Sequence, residues 1–384
     1  MKKTLILLSL MLVSCIMTAQ EAENYRTVLE KGLNAKQLNM TELSESYFRK
    51  AHEIAPDSAE ATLQLGFILE EREHFIEARD LFLSGIQQLT LTPPNENETT
   101  LADAYEHLAS CLIELQDYDS ALIKAQKAVE LNPGSASAMT SIALAYNTME
   151  NYTNALSWAH KAIATTPDYA RAYNATGIIL YNKGNDNEAI QNFRKATLLD
   201  PANTDAYYNL GVMYCLRNNY ESAISQLRKG LKISPKSVKL YRCLARAFLQ
   251  KGDEQNAIAC YETILGMDST NTNALNMLGT IYCNRGEYDR ALSYHRKAIR
   301  LSPEDPNGYK WAAKTYSDQH NYPQALRYYQ KAVELRKDPE TYCLIAEMYH
   351  RQGNTAKEQN SYKKAARLGS KPAREWLIKK GISW

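Results

Sequence analysis

The sequence has no surplus of either charge. Its 45 Lys and Arg stand against 43 Asp and Glu, and two of the cations, Lys2 and Lys3, lie in the leader considered below. A near-neutral body excludes bulk nucleic-acid binding, which rests on phosphate neutralisation. Long apolar runs are also missing. The stretch Leu5 to Val13 is the only one of note, and it falls well short of the ~20 residues a membrane-spanning helix needs. The seven cysteines contain no C-x-x-C pair and no zinc spacing, which excludes a zinc finger or ribbon. There is no H-E-x-x-H, no phosphate-binding glycine loop and no G-x-S-x-G. The histidines are scattered: His107, His160 and His295 occupy unrelated places in the pattern described below, as surface or packing residues do. No catalytic, metal or cofactor site is therefore expected. The chain reads as non-enzymatic.

What is present begins with a leader. Lys2-Lys3 followed by a short apolar stretch reads as a secretory signal over residues 1–19. Two exits compete. Leu12-Val13-Ser14-Cys15 resembles a bacterial lipobox, which would place a lipid anchor on Cys15. A cut after Ala19, before Gln20, is the alternative. Either predicts export, to the periplasm or the outer membrane of a bacterial envelope. Export permits disulfides, but six later cysteines allow 15 pairings and the sequence does not choose among them.

Proline then sets a period. Pro133, Pro167, Pro201 and Pro235 fall 34 residues apart, and Pro303 lies two periods on. With the proline at position 32 of a unit, position 8 is small in Ala109, Ala143, Gly177, Gly211, Ala245, Gly279 and Ala313. Position 20 is alanine at 121, 155, 189, 223, 257, 291 and 325. Bulky residues recur at positions 4, 7, 11 and 24. Spacings of three and four mark one apolar helix face, and small residues at 8, 20 and 27 let two helices approach closely. Glycine at 184, 252, 286 and 353, or Asn218, marks the left-handed residue between the helices. Proline stops the second helix. Basic pairs such as Arg194-Lys195, Arg228-Lys229 and Arg296-Lys297 suit the end of that second helix.

This pattern resembles the tetratricopeptide repeat, over almost everything after the leader. Seven clear units cover 102–338, and one more covers 339–372 with Glu358 where alanine is expected. Two weaker units cover 25–92, a loop is inserted at 93–101, and a capping helix closes the chain at 373–384. The resemblance implies an all-α fold, a right-handed superhelical solenoid of tandem helix-turn-helix units. It also implies a concave groove, lined by the first helices, that binds extended or helical peptides. Carried onto this chain, the groove presents Arg171, Asn174, Tyr181, Asn182, Tyr208, Lys239, Arg242, Arg246, Asn276, Asn284, Lys310 and Lys314, with Cys215 and Cys283 beside them. Asparagine pairs with peptide backbones, arginine grips carboxylates and tyrosine offers rigid contact area. The expected role is a scaffold or adaptor for other proteins or peptide segments. The alternative is an envelope receptor for a small or glycan-like ligand.

Overall fold

The computed structural model describes residues 24–91 and 98–384. The leader with Cys15, and Pro93-Pro94, lie outside the described residues. Among those described, the chain is all α, with no strand. Helices come in antiparallel pairs. They are α1 (24–37) with α2 (Thr41–Ile54), α3 (Ala59–Glu71) with α4 (Phe75–Thr90), and α5 (Glu98–Glu114) with α6 (Tyr118–Leu131). Next come α7 (Ala136–Thr148) with α8 (Tyr152–Thr165), α9 (Ala170–Asn182) with α10 (Asp186–Leu199), and α11 (Thr204–Leu216) with α12 (Tyr220–Ile233). The last pairs are α13 (Val238–Lys251) with α14 (Glu254–Met267), α15 (Thr272–Asn284) with α16 (Tyr288–Leu301), α17 (Pro306–Asp318) with α18 (Tyr322–Leu335), and α19 (Pro339–Arg351) with α20 (Thr355–Arg367). A final helix, α21 (Lys371–Lys379), follows. The chain divides into two compact units, up to Ala206 and from Tyr207 onward.

Each pair starts and stops for local reasons. Ser58, Ser135, Ser237, Asn271 and Asp305 each accept a backbone N–H from the first turn of the helix they precede. Such caps are worth about 1 kcal/mol each. Between the two helices, position 15 is left-handed in every pair. Glycine or asparagine takes it at Asn39, Gly184, Asn218, Gly252, Gly286 and Gly353. Glu73, Gln116, Glu150 and His320 adopt the same φ, between 57° and 63°. The helix–helix contact therefore imposes this turn even on residues that resist it.

Packing within a pair is keyed at positions 8 and 24. A Cβ added to Gly32 would stand 2.6 Å from the Phe48 ring, one on Gly177 2.6 Å from Phe193, and one on Gly211 2.6 Å from Leu227. Gly66 against Phe82 and Gly279 against His295 repeat the arrangement. At Ala109 and Ala143 position 24 is also alanine, Ala125 and Ala159, all fully buried, whereas in the pairs of Ala245 and Ala313 it is the buried Tyr261 and Tyr329. The expectation of a bulky residue at position 24 fails in the pairs of Ala109 and Ala143 and holds at Tyr261 and Tyr329.

Two boundaries differ from the sequence reading. Helix α5 starts at Glu98, so residues 98–101 are helical and not part of an inserted loop. A carboxylate in a first turn is favoured by the helix dipole, and Leu101 extends the apolar stripe onto the core. The closing helix starts at Lys371, capped by Ser370, two residues earlier than expected. Its Leu377 is fully buried, and Trp376 stacks on Tyr362 at 4.2 Å. The basic pairs also find local partners. Lys195 lies over Tyr173, Arg228 over Phe248 and Lys364 over Tyr342, at 5.7 to 5.9 Å, and Arg296 donates to the Tyr316 hydroxyl at 2.7 Å.

Candidate functional site

The first helix of a pair buries positions 4, 7, 8 and 11 and turns positions 2, 5, 9 and 13 elsewhere. In unit 2 that face is cationic on α13. Arg242 and Arg246 are exposed, one helical turn apart, and among the described residues neither has a carboxylate within ion-pair distance. Lys239, also exposed, holds its ammonium 4.3 Å from the centroid of the half-buried Tyr208 ring. On α17 the cations are engaged. Lys310 is 3.1 Å from Asp338 and Lys314 is 2.9 Å from Asp318. The Asp318 hydrogen bond pushes the Lys314 ammonium above its ordinary value. Asn284 is exposed at the end of α15.

Asn276 does not belong to this face. It is 6% exposed, with its Oδ1 3.3 Å from His295 Nδ1. Position 5 sits at the rim of the core. Arg242 and Lys310 reach past the rim on long stems, whereas the short asparagine stays inside. Position 12 is likewise a contact between successive first helices rather than groove surface. Cys283 is buried and donates to Asp318 Oδ2 at 3.3 Å. Cys215 is buried as well. Asn147 accepts from Asn182 at 3.0 Å in the same way.

In unit 1, Tyr181 and Asn182 are exposed near the end of α9 and Asn174 is half-buried. Arg171 helps line a cavity of about 440 Å³ with Lys36, Gln64, Phe67, Glu70, Glu71, Asp103 and His107. Helices α1, α3, α5 and α9 all contribute, so unit 1 curves around this space. His107 Nδ1 lies 2.5 Å from Glu70 Oε2. The His107 ring meets Phe67 edge-on, with centroids 4.6 Å apart. Burial alone pushes His107 down, but the Glu70 hydrogen bond and charge outweigh it and hold the imidazole above its ordinary value. Burial and the charge of Glu106 push Asp103 up. Lys36 sits 5.3 Å over Phe67 and donates to Gln64 at 3.4 Å.

Of this cavity, sequence reasoning named only Arg171. The signal for the rest was present: Asp103 holds position 2, Phe67 position 9, Glu70 position 12 and Glu71 position 13, the stripe used to choose the groove residues. It was applied to the central pairs alone. His107 holds position 6, beside the stripe.

Sequence models described as tetratricopeptide repeat match residues 102–135, 135–166, 177–216, 211–252 and 312–371. A model described as subunit 3 of the anaphase-promoting complex, or cyclosome, matches 250–332. No curated protein matches by sequence. Among solved structures, the chain is similar to PilF of Pseudomonas aeruginosa, at 23% identity over 54% of this chain and 95% of that one, with a TM-score of 0.46. It is similar to YrrB, described as a TPR protein with an unusual peptide-binding site, at 22% identity over 51% and 97% of the two chains, with a TM-score of 0.40. It is also similar to a chain of the Cut9–Hcn1 hetero-tetramer, at 12% identity over 96% and 88%, with a TM-score of 0.48.

Proposed function

Because this chain belongs to the tetratricopeptide repeat family, we propose that it is a non-enzymatic scaffold of a bacterial cell envelope that holds an acidic segment of another protein on the first-helix face of unit 2. The observation that carries this reading is the Arg242/Arg246 pair. Two guanidinium groups one turn apart, exposed and, among the described residues, without ion-pair partners, present planar forks that match carboxylates bidentately. A hydrogen bond to a charged group contributes roughly 1.5–3 kcal/mol, so two such grips give micromolar recognition a plausible basis once backbone contacts are added.

The test is fluorescence anisotropy with a Glu/Asp-rich peptide, against wild type and Arg242→Ala/Arg246→Ala, after circular dichroism has shown both to be folded. Wild type should bind and the double variant should bind at least about tenfold more weakly. Equal binding by both rules the reading out. The envelope location rests on the leader read in the sequence. Lipid labelling that disappears in Cys15→Ala would support an anchor, and a mature N-terminus at Gln20 would support simple cleavage.

A second reading rests on the unit 1 cavity. Its lining combines the carboxylates Glu71 and Asp103, the Arg171 guanidinium and the Phe67 ring, a set suited to a small polar or glycan-like ligand. A thermal-shift survey of envelope glycans tests it, since only a bound ligand raises the melting temperature by mass action.

A further inference from the structure

We infer that the corner formed by α20 and α21 docks on an anionic bilayer, with its cations against the lipid headgroups and Leu368, Ile378 and Trp384 entering the boundary with the acyl chains. The inference is independent of the acidic-segment reading, which rests on α13.

Charge is segregated here as the whole-chain balance conceals. Residues 355–384 hold eight of the 45 Lys and Arg but only two of the 43 Asp and Glu. One of those two, Glu358, is buried and lies 3.1 Å from His350. Glu375 alone remains at the surface. Around it stand Lys364 and Arg367 near the end of α20, and Lys371, Arg374, Lys379 and Lys380 along α21 and its cap, all exposed. Among the described residues, none of the six has a carboxylate within ion-pair distance. Other second helices answer their cations. Lys127 is 2.5 Å from Glu130, and Lys331 is 3.3 Å from Glu334.

The turn between the two helices gathers these charges. Arg374 donates from Nε to the Ala366 carbonyl at 3.1 Å, so the start of α21 folds back on the last turn of α20. Lys364 lies 5.7 Å over the Tyr342 ring and Lys380 5.9 Å over Trp376. A ring steadies such a side chain but leaves its charge uncancelled. Helix α21 buries Ala373 and Leu377, one turn apart, in the cluster it shares with α20. Its other face carries Lys371, Arg374 and Ile378, at helical spacing. Ile378 is 65% exposed, with Leu368 at 42% and Trp384 at 41%.

This mixture selects the partner. Carboxylates of a peptide or phosphates of a nucleic acid would engage the cations and leave three large apolar side chains against polar groups. An anionic bilayer answers both. Its headgroups meet the cations, and apolar side chains need enter only ~5–10 Å to reach the acyl boundary. Tryptophan favours that depth, and lysine and arginine keep their charged heads at the surface while their stems lie along apolar groups. Each cation held near such a surface strengthens attachment about fivefold. The result is reversible, salt-sensitive attachment through the closing helix.

The experiment titrates the full chain with vesicles of phosphatidylglycerol and phosphatidylcholine, and with vesicles of phosphatidylcholine alone. In both, the phosphatidylcholine carries bromine on its acyl chains, which quenches a tryptophan that enters the boundary. Attachment through the apolar leader alone would leave Trp384 unquenched. The expected result is quenching by the anionic vesicles only, most of it absent in Trp384→Phe, and its release at about 0.5 M salt, where the screening length falls to a few ångströms. Lys371→Gln/Lys379→Gln/Lys380→Gln, shown to be folded by circular dichroism, should bind at least about thirtyfold more weakly. Ile378→Ser should cost about fivefold. Absence of quenching, equal quenching by both vesicles, or quenching that persists at the higher salt overturns the inference without any variant. So does wild-type binding by the folded triple variant. If the triple variant loses the Glu/Asp-rich peptide while Arg242→Ala/Arg246→Ala keeps it, the corner is a peptide site and the bilayer inference is overturned. If the peptide binds no form, the α13 reading fails and the vesicle titration still decides this one.

Discussion

The two units put different chemistry on their first-helix faces. In unit 1, positions 2, 12 and 13 of α3 and α5 supply Asp103, Glu70 and Glu71 around the Phe67 wall. In unit 2, positions 2, 5 and 9 of α13 supply Lys239, Arg242 and Arg246. The repeat fixes where a side chain emerges and leaves its charge open. Two histidines, the half-buried His107 of unit 1 and the buried His295 of unit 2, have opposite electrostatics. His107 has a carboxylate partner at 2.5 Å. His295 is fully buried with no charged neighbour, its Nε2 lacks a hydrogen-bond partner, and burial pushes it down to about 4.

The sharpest way to break the comparison is to reverse it. Arg242→Glu/Arg246→Glu should weaken binding of the Glu/Asp-rich peptide by at least about a hundredfold, since like charges brought together cost several kcal/mol. Asp103→Asn/Glu71→Gln in unit 1 should leave that binding unchanged. A loss in both variants would mean the units do not act separately.

Acid should separate the histidines next. An unfolded histidine titrates near 6.5 and the folded His295 near 4. Between those values the unfolded chain binds the extra proton, so stability falls as pH drops from 6.5 to 4, by about 3 kcal/mol. His295→Phe, which copies the Gly177–Phe193 pairing at Gly279, should remove this loss from urea midpoints taken at pH 7.5 and 4.5. His107 runs the other way. Its folded value is raised, so its contribution is complete below pH 6.5 and is lost as pH rises through the folded value. His107→Phe should therefore cost more at pH 5.5 than at pH 8.5.

Smaller effects sharpen the packing comparison. Gly177→Ala drives a methyl into the Phe193 ring and should cost about 1–3 kcal/mol by urea titration. Pairing it with Phe193→Leu should recover part of that. At position 15, Glu150→Gly in unit 1 relieves a left-handed glutamate, and should raise stability by up to about 1 kcal/mol. Gly184→Ala imposes the same strain and should lower it by about as much.

The fold was legible because each pair repeats one packing problem, and the small residues at 8 and 20 expose the solution at a fixed period. Asn276 was misplaced because spacing assigns a face but not a reach: position 5 serves the groove only when the side chain is long. Glu150 and His320 gave no sign of left-handed backbone, since the contact between helices imposes it rather than their own preference. His107 was read as scattered, because its partner Glu70 lies 37 residues away on another first helix.

The matched residues at positions 8 and 24 also constrain how such a chain can be inherited. A duplication that copies a whole 34-residue segment carries lock and key together, as glycine with phenylalanine at Gly177 and Phe193. A crossover falling between the two helices would join halves from different parents. Gly177 against an alanine would leave a hole, and an alanine in place of Gly177 would overlap Phe193. Viable exchange points therefore lie between pairs, near the prolines, and the breaks recorded in a lineage of such genes should cluster there.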